Sequence, residues 1–285
     1  MPVTRRHAAA ALAALPLTLA ATGTAHAATA RTGAAPARGP GRPRHGGTVY
    51  IAGDSTAAPK TATAAPEAGW GTALPAFLGH GWTVANHAVN GRSSKSFHDE
   101  GRLAPILEAI RPGDLLLVQF GHNDEKTGDP ARGTDPYTTY QDYLRRYVDG
   151  ARARGALPVL LTPVERRRFG ADGRARPTHG EYPEAMRALA AAEGVPLVDV
   201  QAASLAEWDR LGPDGTLELF LHLAPGEHPN HPGGKQDNTH FRPRGAIEVA
   251  RMAARGLKER RLPHPGAIRR LDDAVPESVI TWTAG

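Results

Sequence analysis

The sequence predicts an α/β fold in which a parallel β-sheet is covered by helices. Three observations predict it: short apolar runs, longer runs with helical periodicity between them, and glycines where many runs end. Near-continuous apolar runs are typical of strands that are buried on both faces, and their alternation with helices favours a parallel sheet. The predicted strands are residues 48–52, 82–86, 114–120, 157–161 and 196–200.

The longer runs between and after these strands predict helices. In the run that begins at Pro136, aromatic and aliphatic residues recur at steps of three and four. Asp135 is a suitable N-cap for this helix, and Gly155 is a typical C-terminal stop. The predicted helices are residues 136–154, 181–193, 201–211 and 243–260.

The first part of the chain predicts a secretory signal over residues 1–27. Arg5 and Arg6 supply the positive start, residues 8–19 are mostly apolar, and Ala25-His26-Ala27 fits the small-x-small cleavage rule. We therefore expect a secreted protein. The paired arginines leave twin-arginine export open beside the general route.

Residues 28–47 are rich in Pro, Gly and Arg and predict a disordered leader. Residues 1–47 carry six Lys/Arg and no Asp/Glu, which leaves 28 basic and 29 acidic residues, net −1, in the remainder. This balance gives no electrostatic case for a nucleic-acid or membrane partner. We expect one domain over residues 48–285, with residues 263–285 as a C-terminal tail. The chain has no cysteine, which excludes a thiol nucleophile and Cys-ligated metal.

Polar segments follow the first three predicted strands and precede the last predicted helix. In parallel α/β folds, ligands bind outside the carboxyl ends of the strands, so these segments predict a site at one edge of the sheet. The segments are Gly53-Asp54-Ser55-Thr56, Ala88 to Ser94, Gly121 to Glu125, and Asp237 to Phe241.

These segments hold the residue types of a serine hydrolase. A serine becomes a nucleophile when a histidine takes its proton and a carboxylate orients that histidine. Asp237 and His240 are three residues apart, so in a tight turn the carboxylate reaches Nδ1 and leaves Nε2 for Ser55. The N–H groups of Ser55 and Gly91 and the amide of Asn123 are candidate donors for an oxyanion.

Each of these residues also has a simpler interpretation. Ser55 alone is typical of a helix cap, Asp237 and His240 of a surface ion pair, and Gly91 and Asn123 of turns. The four segments together favour the catalytic interpretation, because each supplies a different part of one constellation.

Several further residues are candidates for contact with the substrate. We expect His179 and Trp70 to line the cleft, with surface and core positions as their alternatives, and Asp54 to contribute there or to tie its turn. The run Arg166–Arg168 is either a solvated charge run or a binder of substrate carboxylates. No histidine shows an HExxH spacing, so we predict no metal site.

The chain resembles the SGNH (GDSL-like) hydrolase superfamily. The residues in and around its motifs resemble most the branch of rhamnogalacturonan acetylesterase-like enzymes, carbohydrate esterase family 12. The resemblance covers roughly residues 48–260, and Thr56 stands where many superfamily members outside this branch have Leu. The matching stretches are GDST (53–56), GWG (69–71), NHAVNGRSSKSF (86–97), QFGHNDEK (119–126), LLTPVERRRF (160–169), THGEYPEAM (178–186) and DNTHF (237–241).

The resemblance implies a flavodoxin-like three-layer α/β/α domain with a central parallel sheet of about five strands. It implies Ser55 as nucleophile, His240 as base and Asp237 as its orienter, with Ser55, Gly91 and Asn123 as the oxyanion hole. The implied activity is removal of acetyl groups from rhamnogalacturonan, without metal or other cofactor, by a protein that we expect to be a monomer. Xylan or small-ester acetylesterase, lipase-like esterase, metallohydrolase and non-catalytic carbohydrate-binding protein remain the alternatives.

Overall fold

The computed structural model describes residues 46–284. The predicted signal, residues 1–27, and nearly all of the predicted leader, residues 28–47, lie outside the described residues. Gly47 already pairs in the first strand, so the fold includes the last residue assigned to the leader.

A five-stranded parallel sheet forms the centre of the fold, with strand order β2-β1-β3-β4-β5. This order is the flavodoxin-like one, and the predicted α/β fold is confirmed. In the register, Ile51 pairs with Asn86 on one side and with Leu117 on the other. The strands are β1 (Gly47–Gly53), β2 (Trp82–Asn86), β3 (Leu115–Gln119), β4 (Leu157–Leu161) and β5 (Leu197–Val198).

Apolar side chains of the central strands enter two hydrophobic clusters, one on each face of the sheet. Ile51 and Leu117 belong to one cluster, whereas Tyr50 and Leu116 belong to the other. Successive strand residues point to opposite faces, so a strand buried on both faces needs an unbroken apolar run. This requirement explains why the sequence predicted these strands well.

Seven α-helices occur among residues 46–284. α1, α6 and α7 pack in the first cluster, and α2, α3, α4 and α5 pack in the second, which makes three layers. The short α1, α2 and α3 were not predicted, and no helix of this part of the chain is long and apolar enough to cross a membrane. The helices are α1 (Trp70–Ala73), α2 (Ser94–Asp99), α3 (Leu103–Ala109), α4 (Gln141–Arg152), α5 (Tyr182–Glu193), α6 (Val200–Gly215) and α7 (Pro243–Glu259).

An antiparallel hairpin, β6 (Phe220–Leu223) and β7 (Lys235–Phe241), was not predicted. Its register shifts within the pair, because Phe220 faces Phe241 while the adjacent Leu221 faces Asp237. Residues 238–240 therefore form a bulge in β7. Bulges re-aim side chains next to functional sites, and this one holds the predicted site residue His240 and directly follows Asp237.

The C-terminal tail packs along the folded domain. Ile268 and Ile280 are buried, and Ile268 bridges to Leu78. Thr283 forms an isolated parallel bridge with Thr61, in the segment that follows the first strand. The tail is thus part of the packing around the segment 57–67.

Candidate active site

The turn after β1 presents Ser55 at the carboxyl end of the sheet. The Asp54 carboxylate accepts hydrogen bonds from the Thr56 backbone N–H at 2.9 Å and the Thr56 hydroxyl at 2.8 Å. The backbone N–H of Ala58 donates to the Asp54 carbonyl at 3.0 Å. Burial raises the pKa of Asp54, while the Thr56 hydrogen bonds act to lower it. Asp54 therefore fixes the turn that carries the serine.

Ser55, His240 and Asp237 form one hydrogen-bonded chain. The Ser55 hydroxyl lies 2.9 Å from His240 Nε2, and His240 Nδ1 lies 2.8 Å from Asp237 Oδ2. The side chains of His240 and Asp237 are 27% and 19% exposed, so the group is open to a substrate at the surface. The arrangement is that of a nucleophile, its base and the group that orients the base.

Asp237 is held as a charged acceptor. Its Oδ1 accepts the backbone N–H groups of Thr239 at 2.8 Å and His240 at 3.0 Å. Burial acts to raise the pKa of Asp237. The hydrogen bond and charge of His240, together with these backbone donors, outweigh burial and hold that pKa well below its usual range. A carboxylate in this state stabilises the imidazolium that forms when His240 takes a proton.

The bulge in β7 creates the spacing between Asp237 and His240. We expected a tight turn here, and the structure instead places the pair in a bulged strand. Asn238, inside the bulge, accepts a hydrogen bond from the Arg167 backbone at 2.8 Å and lies 2.8 Å, through Oδ1, from His222 Nε2. Because β7 is mostly polar, the sequence carried no strand signal for it.

The other predicted donors lie in neighbouring loops. Gly91 has φ of +76°, a left-handed conformation that side chains rarely adopt. The buried Asn123 donates through Nδ2 to the Arg92 carbonyl at 3.0 Å and accepts at Oδ1 from Lys126 Nζ at 2.9 Å. One N–H of the Asn123 amide is thus used by the Gly91–Arg92 loop, and the other is available for a ligand.

Asp124 connects this loop to the end of β3. It accepts the backbone N–H of Ser94 at 3.0 Å and also the Ser94 hydroxyl. The preceding Ser93 caps α2 in a reciprocal pair with Ser96. Burial raises the pKa of Asp124 to about 7, although the Ser94 hydrogen bonds act to lower it. These contacts fix the loop that carries Gly91, and sequence reasoning did not assign them.

The structure corrects the predicted substrate contacts. Trp70 and Asp54 are 0% exposed and His179 is 1% exposed, so a polysaccharide cannot reach them. Trp70 donates to Gln119 Oε1 at 2.6 Å. His179 lies 3.1 Å from Glu125 Oε2 and 2.9 Å from the Val164 carbonyl. All three residues stabilise the interior around the site instead of lining its surface.

Two arginines of the 166–168 run are committed to the protein itself. Arg166 is paired with Glu125, and Arg167 donates to Thr216 at 3.1 Å and to the Pro213 carbonyl at 2.7 Å. Burial acts to raise the pKa of Glu125, but the His179 hydrogen bond and Arg166 outweigh it and lower that pKa overall. These two side chains are therefore neither fully solvated charges nor free to bind a substrate carboxylate.

The histidines that the structure describes do not form a cluster of metal ligands. His122 is buried edge-on against His179, with ring centroids 4.4 Å apart, and burial lowers its pKa well below the usual value. It therefore packs as a neutral ring. Within residues 46–284, no group of three or more His, Asp or Glu is placed to hold a metal ion.

Curated relatives match most of the chain. It is 47% identical over 215 residues to rhamnogalacturonan acetylesterase RhgT of Bacillus subtilis (strain 168), covering 75% of this chain and 91% of that protein. It is 41% identical over 215 residues to the same organism's "Probable rhamnogalacturonan acetylesterase YesY", covering 75% and 94%.

Solved structures share the fold. Protein YxiM of Bacillus subtilis matches at 29% identity with a TM-score of 0.66, over 76% of this chain and 58% of that longer chain. A catalytic mutant of Axe2, an acetylxylan esterase from Geobacillus stearothermophilus, matches at 18% identity with a TM-score of 0.52, over 74% and 93%. The second match shows similarity of fold alone.

A family model agrees with these relatives and with the site. The model described as the GDSL-like Lipase/Acylhydrolase family matches residues 51–236, from within β1 to the residue before Asp237. With well over half of its length matched in this way, the chain belongs to the GDSL-like lipase/acylhydrolase family.

Proposed function

We propose that the protein is a serine esterase that removes O-acetyl groups from rhamnogalacturonan. The observation that carries the mechanism is the chain of hydrogen bonds from Ser55 to His240 at 2.9 Å and from His240 to Asp237 at 2.8 Å. The substrate assignment is supported by the 47% identity to a protein named rhamnogalacturonan acetylesterase.

The first half of the reaction acylates Ser55. His240 Nε2 accepts the hydroxyl proton while the oxygen attacks the acetyl carbonyl carbon, and Asp237 stabilises the resulting imidazolium. The carbonyl oxygen becomes an oxyanion, which receives hydrogen bonds from the N–H groups of Ser55 and Gly91 and from the Asn123 amide. The intermediate then collapses, and the sugar oxygen leaves with the proton from His240.

The second half releases acetate. His240 takes a proton from a water molecule, whose oxygen attacks the acetyl carbon bound to Ser55. The same donors stabilise the second oxyanion, and the Ser55 oxygen leaves with the proton carried by His240. The enzyme returns to its starting state, and no electron transfer is involved.

The substrate is tested by comparing acetate release from three polymers. We expect the fastest release from acetylated rhamnogalacturonan and slower release from acetylated xylan and acetylated homogalacturonan. Ser55→Ala, assayed on the same polymers, controls for spontaneous hydrolysis. Equal rates on all three polymers would contradict the rhamnogalacturonan assignment, and a higher rate on xylan would favour the xylan alternative.

We also propose that the protein acts outside the cell. The proposal rests on the signal-like residues 1–27 and on a polymeric substrate that cells meet extracellularly. Expression in a secreting host followed by N-terminal sequencing of the medium protein tests it. We expect the sequence to begin at Ala28, and a protein retained in cells with an intact N-terminus would contradict export.

A further inference from the structure

The segment 57–67, to which the sequence assigned no role, places Lys60 against the turn that carries Ser55, called the nucleophile turn below. The Lys60 side chain is 2% exposed, although lysine is rarely buried without partners. Its Nζ donates to the Ser55 carbonyl at 2.7 Å and to Asn90 Oδ1 at 2.7 Å, and it lies 2.6 Å from Glu67 Oε1. An ammonium group has three hydrogens, so these partners satisfy it completely.

Two of these partners belong to the machinery of the proposed reaction. The Ser55 carbonyl is part of the residue whose hydroxyl attacks, and Asn90 directly precedes Gly91. The Gly91 N–H belongs to the peptide unit that joins Asn90 to Gly91, and the carbonyl of Asn90 is held by Arg92 Nη1 at 2.8 Å. One buried cation therefore connects the nucleophile turn to the loop that supplies an oxyanion donor.

We propose that Lys60 is a positioning residue that holds Ser55 and the Gly91 N–H in register for the developing oxyanion. This inference rests on the proposed function. Lys60 faces the protein side of the turn and is buried, so it acts through these two loops and does not touch the substrate. Because oxyanion donors work only at the correct separation, we expect its loss to lower kcat and to leave KM nearly unchanged.

Hydrogen bonds from the C-terminal tail and from Asn230 hold the segment that contains Lys60 and Glu67. The Thr283 backbone N–H donates to the Lys60 carbonyl at 3.0 Å, and Trp282 Nε1 donates to the Glu67 carbonyl at 2.8 Å. Asn230 Nδ2 donates to the Ala62 carbonyl at 2.8 Å. A buried ammonium is costly without compensation, and the carboxylate of Glu67 offsets that cost here.

The test compares Lys60→Met with Lys95→Met in p-nitrophenyl acetate hydrolysis, well below the unfolding midpoint. Lys95 serves as the matched control because its Nζ donates to the Pro130 carbonyl at 2.6 Å in a hydrogen bond at the surface, away from the partners of Lys60. Active sites are counted by titration with a phosphonate ester. We expect Lys60→Met to lower kcat roughly 10²-fold, with KM within about twofold, and Lys95→Met to change neither. A raised KM with unchanged kcat, or a kcat within about threefold of the wild type, would overturn the proposal.

A second variant keeps the proposal testable if Lys60→Met does not fold. Asn90 is exposed, so Asn90→Ala is compatible with the fold, and we expect it to lower kcat about tenfold without raising KM. Where Lys60→Met does fold, the losses of kcat in the double variant should be less than additive, because both substitutions remove the same hydrogen bond between Lys60 and Asn90. An unchanged kcat in Asn90→Ala, or fully additive losses, would count against a role through this loop.

Ser55→Ala in the same assay separates the two proposals. If it keeps wild-type activity, the proposed serine mechanism fails. If it is inactive while Lys60→Met and Asn90→Ala keep wild-type kcat, only the positioning role of Lys60 fails.

Discussion

Asp237 makes two kinds of contact with one short stretch of chain. One carboxylate oxygen binds the His240 ring, and the other binds the backbone N–H groups of Thr239 and His240. The ring contact orients the base, and the backbone contacts keep the carboxylate fixed whether or not the ring is present. The contact that orients the His240 ring is therefore distinct from the backbone contacts that hold the charged carboxylate of Asp237.

Replacing Asp237 by Asn tests this separation. Asp237→Asn keeps the shape but removes the charge and allows the wrong tautomer of His240. We expect kcat on p-nitrophenyl acetate to fall about 10³–10⁴-fold, with little change in KM. Asp142→Asn, on the exposed face of α4, is the matched control. A loss of less than tenfold would show that the carboxylate is not needed as an anion.

The residues of the site were predictable to different degrees. The hydrogen-bonded group of Ser55, Asp237 and His240 could be predicted because a serine, a histidine and a carboxylate in these segments match the residue types of a serine hydrolase. Trp70 and His179 were assigned to the cleft, but sequence gives no measure of burial for a single aromatic residue. Lys60 was missed because a lysine among Ala, Thr and Pro is typical of a solvated loop.

At the scale of elements, α2 and the end of β3 meet through the carboxyl group of Asp124. The carboxyl is fully buried, and it receives the backbone N–H and the hydroxyl of Ser94 from the start of α2. Because the pKa of Asp124 is about 7 in the folded protein and near 3.8 when exposed, the folded state binds this proton more tightly than the unfolded state. The contribution to stability is present at low pH and is lost as the pH rises toward 7.

Asp124→Asn should remove this pH dependence. Between pH 5 and 7, we expect the free energy of unfolding of the wild type to fall relative to the variant by about 1 kcal/mol per pH unit. Urea unfolding at several pH values measures this change in the free energy of unfolding. Asp142→Asn is the control, and its free energy of unfolding should change with pH as that of the wild type does. Parallel pH profiles for the wild type and Asp124→Asn would contradict a raised pKa.

Elements were predictable where burial shapes the sequence. The five parallel strands leave apolar runs because both of their faces meet helices. β7 was missed because, of KQDNTHF, only Phe241 is both apolar and buried. Its other side chains serve the site or face solvent, so neither an apolar run nor a period of two remains. α1, α2 and α3 have four to seven residues, too few to show helical periodicity.

At the scale of the whole molecule, the C-terminal tail contacts the segment that lies behind the turn carrying Ser55. Thr283 and Trp282 together make four hydrogen bonds with the segment that contains Lys60 and Glu67, three through Thr283 and one through Trp282. These residues are more than 200 positions apart in sequence. The C-terminal tail therefore meets the segment that follows β1.

Removing residues 281–285 tests this dependence. We expect the free energy of unfolding to fall by about 2–4 kcal/mol, because four hydrogen bonds are lost, each worth about 0.5–1 kcal/mol. We also expect kcat to fall, because Lys60 loses its support. Trp282→Phe removes only one of these bonds and should cost about 1 kcal/mol. Urea unfolding measures the stability of the truncated protein, and p-nitrophenyl acetate hydrolysis measures its kcat. A truncated protein as stable and active as the wild type would contradict the role of the tail.

The bulge in β7 has a consequence for motion. Asp237 and His240 lie within four consecutive residues, and the Asp237 carboxylate binds both the backbone N–H and the ring of His240, so we expect the two residues to move together. Displacement of the hairpin changes the Ser55–His240 separation but not the His240–Asp237 one. In NMR spectra, the downfield proton of His240 Nδ1 should therefore persist in Ser55→Ala, because the hydrogen bond between His240 and Asp237 does not require the Ser55 hydroxyl.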